Sequence, residues 1–476
     1  MKKEKVVNEK SFANINKKSF VSVVCVLVIM ISIASILTLI IPQGSFARNE
    51  SGEIIAGTFS QGSPQGIEFW RVITAPFRVF VADGGITIIM ISLFLLIMSG
   101  IFNMIEKTDG IKVIMNKAFY KFSNKKKLVL CVVVLFFMLF GSLFGLFEEL
   151  VTLLPFITIF MISLGFDTMT GLGVCMLAAC FGFSSAITNP FSVGIASNFA
   201  GISTMSGIWL RIVLFVVIYA MVCGFILMYT KKISKDPSKS LSYETDLAKR
   251  SSLKIDESET NNKTFKVYLI FFIVQFVILM TVASVRSISS LAIPILSATF
   301  LIGGIIAGLI VSENKKKVFE YIGKGALSML PAVLLIALAS SVNLVMQESG
   351  ILDTIINFII QFLEGKSLYV CVLFIYLLIL VLQLFIGSAS AKIFLVMPIL
   401  IPLCHAIGIS SNLLIFIYCI ADGFSDVIIP TNPVLLIGLS MSNVSYGKWV
   451  KWTWKIQLLI LLVSILLIFF GVYINY

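Results

Sequence analysis

The sequence predicts an all-α polytopic membrane protein made of two inverted structural repeats, each with a re-entrant hairpin and a broken transmembrane helix. Three observations predict it. Apolar runs longer than the ~18 residues of a membrane-spanning helix recur along the chain. Of its 476 residues 58% are hydrophobic and only 13% charged, where a soluble domain carries about 25% charged. And the same irregular motifs return 243 positions later. Together these exclude a soluble enzyme, a secreted disulfide scaffold and a disordered chain. The formal net charge of +12 does not point to nucleic acid, because the Lys and Arg residues occupy short segments between apolar runs. That is the positive-inside pattern. The eight cysteines fall inside apolar runs without a CxxC, and there is one histidine. Neither a disulfide framework nor a metal site is expected.

Lys2, Lys3, Lys5, Lys10, Lys17 and Lys18 precede an apolar run, Val21–Ile41. This reads as an uncleaved first span with a cytoplasmic N-terminus. A polar stretch, Gln43–Gln65, leads to Glu68–Val81, where Trp70, Arg71, Phe77 and Arg78 suit an interfacial helix. The second span, Gly84–Asn103, exits into lysines 107 to 127 and so ends inside. Leu128–Phe166 is apolar but interrupted by Gly141-Ser142, Gly145 and Glu148-Glu149, which suits a hairpin that enters and leaves on one side. Thr170–Ala200 carries Thr188-Asn189-Pro190. Proline removes a backbone donor and clashes with the preceding turn, so this span is read as broken. After Ile212–Lys231 comes the one long polar insert, Lys231–Thr264, read as a plain solvated cytoplasmic connector. The expected organisation is therefore a first repeat over 1–230, a linker over 231–264 and a second repeat over 265–476. The second repeat holds spans Val267–Val285, Ala292–Ser312 and Leu327–Met346. Its hairpin is Cys371–Ile409 with Gly387-Ser388-Ala389-Ser390-Ala391-Lys392, its broken span is Leu413–Met441, and Ile456–Tyr473 follows. The total is about nine full spans plus two hairpins, with the C-terminus outside.

The shift of 243 aligns Thr188-Asn189-Pro190 with Thr431-Asn432-Pro433, Pro155 with Pro398, Gly165 with Gly408, Ala178 with Ala421, Phe181 with Phe424 and Ser197 with Ser440. The spans superpose under the same shift. Ala292–Ser312 has no full counterpart, since Glu68–Val81 is too short to cross. One extra crossing inverts everything after it, and inverted repeats with broken helices are a common transporter architecture.

Ionisable groups at membrane depth cost ~2.5–3.5 kcal/mol each on insertion scales, so they mark function. The set is Glu148, Glu149, Lys392, Asp422 and Asp426. Glu149 and Lys392 are equivalent under the shift, so the two acids of one tip are expected to face the lysine of the other. They would do so either as a locking pair or as a substrate or proton site. Asp422 and Asp426 are candidates for the coupling ion, Na⁺ or H⁺, or else packing carboxylates. Thr188, Asn189, Ser388, Ser390, Thr431 and Asn432, with the backbone N–H groups at tips and breaks, are the expected holders of a substrate carboxylate. His405 reads as a hydrogen-bonded structural residue, and Arg211 as a snorkelling anchor at the outer end of its span. There is no HExxH and no GxSxG. An intramembrane hydrolase or transferase using Glu148 and Glu149 is a remote alternative, because adjacent helical residues point about 100° apart.

Several stretches resemble the YfcC family, which is related to the anaerobic C4-dicarboxylate carriers of the ion transporter superfamily. In the first half these are Gly145-Leu-Phe-Glu148-Glu149, Gly165-Phe-Asp167 and Gly182-Phe-Ser-Ser-Ala-Ile-Thr-Asn189-Pro190-Phe191. In the second half they are Gly387-Ser-Ala-Ser-Ala-Lys392, Met397-Pro398-Ile399 and Asp422-Gly-Phe-Ser-Asp-Val-Ile-Ile-Pro430-Thr431. The chain departs from relatives at Ser411-Asn412, where Arg-Gln is frequent, at Cys419-Ile420-Ala421, and at His405, where Asp is frequent. The resemblance implies a secondary carrier in the bacterial inner membrane, transporting basic amino acids or C4-dicarboxylates. Four acids against one lysine favour a basic amino acid as the substrate, and the resemblance implies antiport as the mode. A C4-dicarboxylate carrier coupled to Na⁺ or H⁺ is the alternative. The expected partners are a small organic ion, the lipid bilayer and a second copy of the chain as a homodimer. No nucleic acid, metal or cofactor beyond the coupling ion is expected.

Overall fold

The computed structural model describes residues 17–47, 55, 57–62, 66–82, 85–110, 113–114, 125–151, 153–252, 262–284, 291–363 and 365–476. Lysines 2 to 10 lie outside them, as do the side chains of Glu149 and Ser390. The described chain is almost wholly helical. In the first half run α1 (Lys17–Ile40), a two-residue ribbon of β1 (Gly44–Ser45) and β2 (Ser60–Gln61), α2 (Phe69–Arg78) and α3 (Gly85–Lys107). Then come α4 (Lys126–Phe144), α5 (Glu148–Val151), α6 (Leu154–Ser163), α7 (Thr168–Ser184), α8 (Ile195–Phe199) and α9 (Ile208–Lys235). The connector holds α10 (Tyr243–Ser252). The second half has α11 (Asn262–Ser284), α12 (Ala292–Val311), α13 (Lys315–Ser328), α14 (Leu330–Glu348) and α15 (Ile351–Leu363). It ends with α16 (Leu368–Gln383), α17 (Ala389–Ala406), α18 (Ser411–Gly423), α19 (Pro433–Ser442) and α20 (Tyr446–Tyr473). Among the described residues six helical stretches are long and apolar enough to cross a membrane, and shorter apolar helices of 10–17 residues accompany them.

Two helices were not legible in the sequence. α13 starts at Asn314, whose side chain accepts the Lys316 N–H at 3.1 Å. Its lysine-rich first turn lowers its hydropathy below that of a span. It is fixed to α3 instead, where Ser99 Oγ donates to the Gly325 carbonyl at 2.8 Å and Asn103 Nδ2 to that of Tyr321 at 2.7 Å. α15 carries Asp353, which accepts the Phe46 N–H at 3.1 Å and so seats the ribbon. α2 has the interfacial character expected. Phe69, Trp70, Ile73 and Phe77 are exposed, while Arg78 pairs with Glu348 at the end of α14.

The packing is crosswise between halves. α1 and α2 lie against α14, whereas α12 and α13 lie against α3. α12 thus packs on α3 much as α1 packs on α14.

The elements share two ends. At one, Lys126 and Gly165 adjoin, since a Cβ on Gly165 would sit 3.3 Å from Lys126 Nζ. The α4–α6 hairpin therefore returns to the end where it began. At the other end, Leu368 and Gly408 border one cavity with Ser410 and Tyr476, so α16–α17 returns to that opposite end. Gly165 and Gly408 close the two hairpins with φ of 89° and 82°, a conformation that glycine adopts without penalty. α9 begins beside the end of α20, where the Tyr476 hydroxyl donates to the Gly207 carbonyl.

The connector is not the plain solvated linker expected. Asp246 accepts the Thr168 N–H at 2.9 Å, the Thr168 hydroxyl at 2.5 Å and the Ser242 hydroxyl at 2.6 Å, and is buried. Lys249 donates to Thr168 Oγ1 at 2.9 Å and to the Ser442 carbonyl at 3.3 Å. Arg250 donates to the Phe166 carbonyl at 2.8 Å. Asp167, the N-cap of α7, takes hydroxyls from Tyr229 at 2.5 Å and Ser240 at 2.7 Å. Burial pushes the Lys249 ammonium below the ordinary lysine range, while Asp246, Asp167 and Glu106 oppose that shift. α10 is thus a clasp joining the start of α7 to the end of α19.

Candidate functional site

Both chain breaks fall where the sequence places them, and asparagine builds each. At the first, Asn189 Oδ1 accepts the Phe191 N–H at 2.9 Å. At the second, Asn432 Oδ1 accepts the N–H groups of Val434 and Leu435 at 2.8 and 3.4 Å, capping α19. Proline follows each at the first helical position, where its missing N–H costs nothing. Pro190 is followed by a π-helical turn, Pro190–Gly194, a form common at functional sites. The threonines tie each break to its hairpin. Thr188 Oγ1 donates to the Leu143 carbonyl and Thr431 Oγ1 to that of Leu384, both at 3.0 Å. Thr188, Asn189, Thr431 and Asn432 therefore satisfy freed backbone groups.

The tips differ. Ser142, fully buried, donates to the Ser185 carbonyl at 2.6 Å, and its carbonyl accepts the N–H groups of Ile187 and Thr188 at 3.2 Å. Ser388 is exposed and caps α17 through the Ala391 N–H at 3.4 Å. Glu148 opens α5 and is exposed to a narrow cavity otherwise lined by apolar residues, among them Phe94, Met98, Val434 and Met441.

Among the described side chains the partner of the lysine is Asp422, while the expected pairing with Glu149 falls on a side chain outside those described. Lys392 Nζ lies 2.5 Å from Asp422 Oδ1, and the two side chains are 0% and 1% exposed. The equivalence of Lys392 with Glu149 holds along the chain. Geometrically, however, α17 presents the lysine to α18 of its own half.

The second break is the more polar. Asn432 Nδ2 donates to Asp426 Oδ1 at 2.7 Å, and Gln383 Nε2 donates to the same oxygen. In the first half Asn189 Nδ2 donates to the Phe183 carbonyl at 3.2 Å. Phe183 and Asp426 are equivalent under the shift, so a carboxylate replaces a carbonyl at one partner position. Gln383 escaped the sequence analysis. Its signal was a lone polar residue closing an apolar run. The two breaks meet back to back, with Cys180 Sγ donating to the Gly423 carbonyl at 3.1 Å and Phe181 edge-on to Phe424 at 5.4 Å. His405 Nε2 lies 2.8 Å from Ser411 Oγ, remote from this centre.

The family model described as the C4-dicarboxylate anaerobic carrier, DcuC, matches residues 20–473. An uncharacterized protein of Haemophilus influenzae is 30% identical over 81% of this chain and 76% of its own. YfcC of Escherichia coli K12, whose name offers basic amino acid antiport provisionally, is 27% identical over 77% of this chain and 74% of its own. Among solved structures, the Alcanivorax borkumensis YdaH transporter is similar at 16% identity and a TM-score of 0.43, covering 96% of this chain and 99% of that one. With hydropathy, breaks and matched length in agreement, the chain belongs to the DcuC family of anaerobic carriers, multi-pass membrane transporters rather than enzymes.

Proposed function

We propose that the protein is a secondary active antiporter that exchanges a basic amino acid across the bacterial inner membrane by alternating access. One observation carries the choice of substrate. Lys392 is already neutralised by Asp422 at 2.5 Å. That leaves Glu148 and Asp426, and the two hairpin tips and broken spans contain no second lysine to receive a dicarboxylate. A cationic side chain would find these acids. Its α-carboxylate would find the N–H groups at the half-helix ends, where the dipole favours anions.

The reading takes the two halves as inverted repeats, with hairpins that are re-entrant from opposite sides. Its support is that the hairpins close at opposite ends and that equivalent residues, Phe181 with Phe424, meet between the halves. The end rich in lysines 126, 235 and 448 is assigned to the cytoplasm. Asp426, held by two amide donors and close to both halves, is the candidate carrier of a coupling proton or Na⁺. Thr188, Asn189, Ser388, Ser390, Thr431 and Asn432 form the rim that positions the substrate.

The second reading is a C4-dicarboxylate carrier, favoured by the family's description. Counterflow in proteoliposomes with arginine, ornithine, lysine, succinate and malate separates the two. Saturable exchange of basic amino acids is expected. Exchange of dicarboxylates alone would replace the first reading with the second.

A further inference from the structure

Arg211 is read from the sequence as an anchor snorkelling outward, and the structure turns it inward. It is 3% exposed. One guanidinium nitrogen donates to the Ile187 carbonyl at 2.8 Å, the other to the carbonyls of Thr204 and Ser206 at 2.6 and 2.8 Å. Among the described residues no carboxylate pairs with it. A buried charge without a counter-charge is costly and is retained where it does something.

Ile187 is the residue before Thr188-Asn189-Pro190. Its N–H is held by Ser142 Oγ at 3.0 Å and its carbonyl by Arg211. The first break is thus suspended between α4 and α9. Among the described residues the equivalent positions of the second half carry no such device. The position equivalent to Arg211 is Trp454, which is 45% exposed, and the one equivalent to Ile187 is Pro430. The asymmetry complements the acids. Asp426 lies in the second half without a cationic partner among the described residues, and the uncompensated cation stands behind the break of the first.

We propose that Arg211 is a positioning residue for substrate binding. It fixes Ile187, and through it the orientation of Thr188 and Asn189. It also places a net positive charge behind that break, which draws the substrate's carboxylate. The proposal rests on the carrier reading above.

The test is counterflow by purified Arg211→Lys and Arg211→Gln in proteoliposomes, with KM and Vmax measured separately, beside monodisperse elution as the check on folding. Arg211→Lys keeps the charge, but one ammonium cannot reproduce the planar fork on three carbonyls. Its KM is expected to rise about tenfold with Vmax within about twofold of wild type. Arg211→Gln removes the charge as well. It is expected to raise KM further for arginine, and far less for agmatine, which lacks the carboxylate. Wild-type KM in the lysine variant, or a loss confined to Vmax or to the yield of folded carrier, overturns the proposal. If the glutamine variant does not insert, the lysine variant decides alone. The probe is radiolabelled arginine or, should the wild type exchange only dicarboxylates, succinate. A wrong substrate class therefore leaves the KM comparison intact.

Discussion

Lys392 and Asp422 form a closed ion pair, Nζ to Oδ1 at 2.5 Å, in which neither side chain reaches solvent. The pair pins α17 to α18 and so locks the second hairpin onto the broken span beside it. Breaking one partner of a buried pair leaves an uncompensated charge and costs about 3–5 kcal/mol, whereas replacing both with apolar groups is often neutral. Asp422→Asn is therefore expected to lower the midpoint of thermal unfolding in detergent sharply. The double variant Lys392→Met/Asp422→Leu is expected to recover most of it. A double variant no more stable than the single one would contradict a locking role.

Asn432 does two jobs at once, capping α19 with its oxygen and holding Asp426 with its amide. Asn432→Asp keeps the cap but sets a second carboxylate beside Asp426. It is expected to fold nearly normally and to lose uptake. Asn432→Ala loses the cap as well, at about 1 kcal/mol. Asn189→Ala is expected to lose uptake too, with insertion retained. Near-normal transport by Asn432→Asp would remove Asp426 from the transport site.

The hairpin tips are expected to label unequally. A cysteine at Ser142 is buried under the first break, while one at Ser388 stands exposed. Maleimide should modify the Ser388→Cys carrier readily and the Ser142→Cys carrier only after unfolding. Rapid modification at 142 would show that α4 does not end beneath the break.

The clasp makes the connector part of the fold. Asp246→Ala strips the N–H and hydroxyl of Thr168 of their acceptor, and a loss of about 1–2 kcal/mol is expected. Lys249 adds a pH dependence. Burial holds it below its ordinary value of 10.5, so the unfolded chain binds more protons between the two values and stability rises with pH there. Wild type should gain stability relative to Lys249→Met as pH climbs through that window toward 10.5, and lose it as pH falls. Parallel pH curves for the two would mean the ammonium is not buried.

The matching hairpin and break residues of the two halves were legible because they are positions where backbone geometry leaves little choice. Gly165 and Gly408 close the hairpins with φ of 89° and 82°. Asn189 with Pro190, and Asn432 with Pro433, start the half-helices. Phe181 and Phe424 fill the seam between the halves. The long apolar runs follow equally from the sequence, since nothing else satisfies a backbone in lipid. Helix α13 was not legible, because lysines at its start and small residues along it average to a polar value while one face packs on α3.

The sequence by itself determined that this is a polytopic membrane protein, where its chain breaks, and which ionisable residues interrupt its apolar runs. Hydropathy, proline and glycine act within a few residues of chain, so they can be read along it. Only the tertiary structure decided the partners. Lys392 meets Asp422, Arg211 turns inward to Ile187, and Asp246 and Lys249 clasp two broken spans. The charges of those residues could be read in the sequence. Their directions could not, because an ion pair or a capped carbonyl depends on which helix faces which, and packing between distant segments sets that.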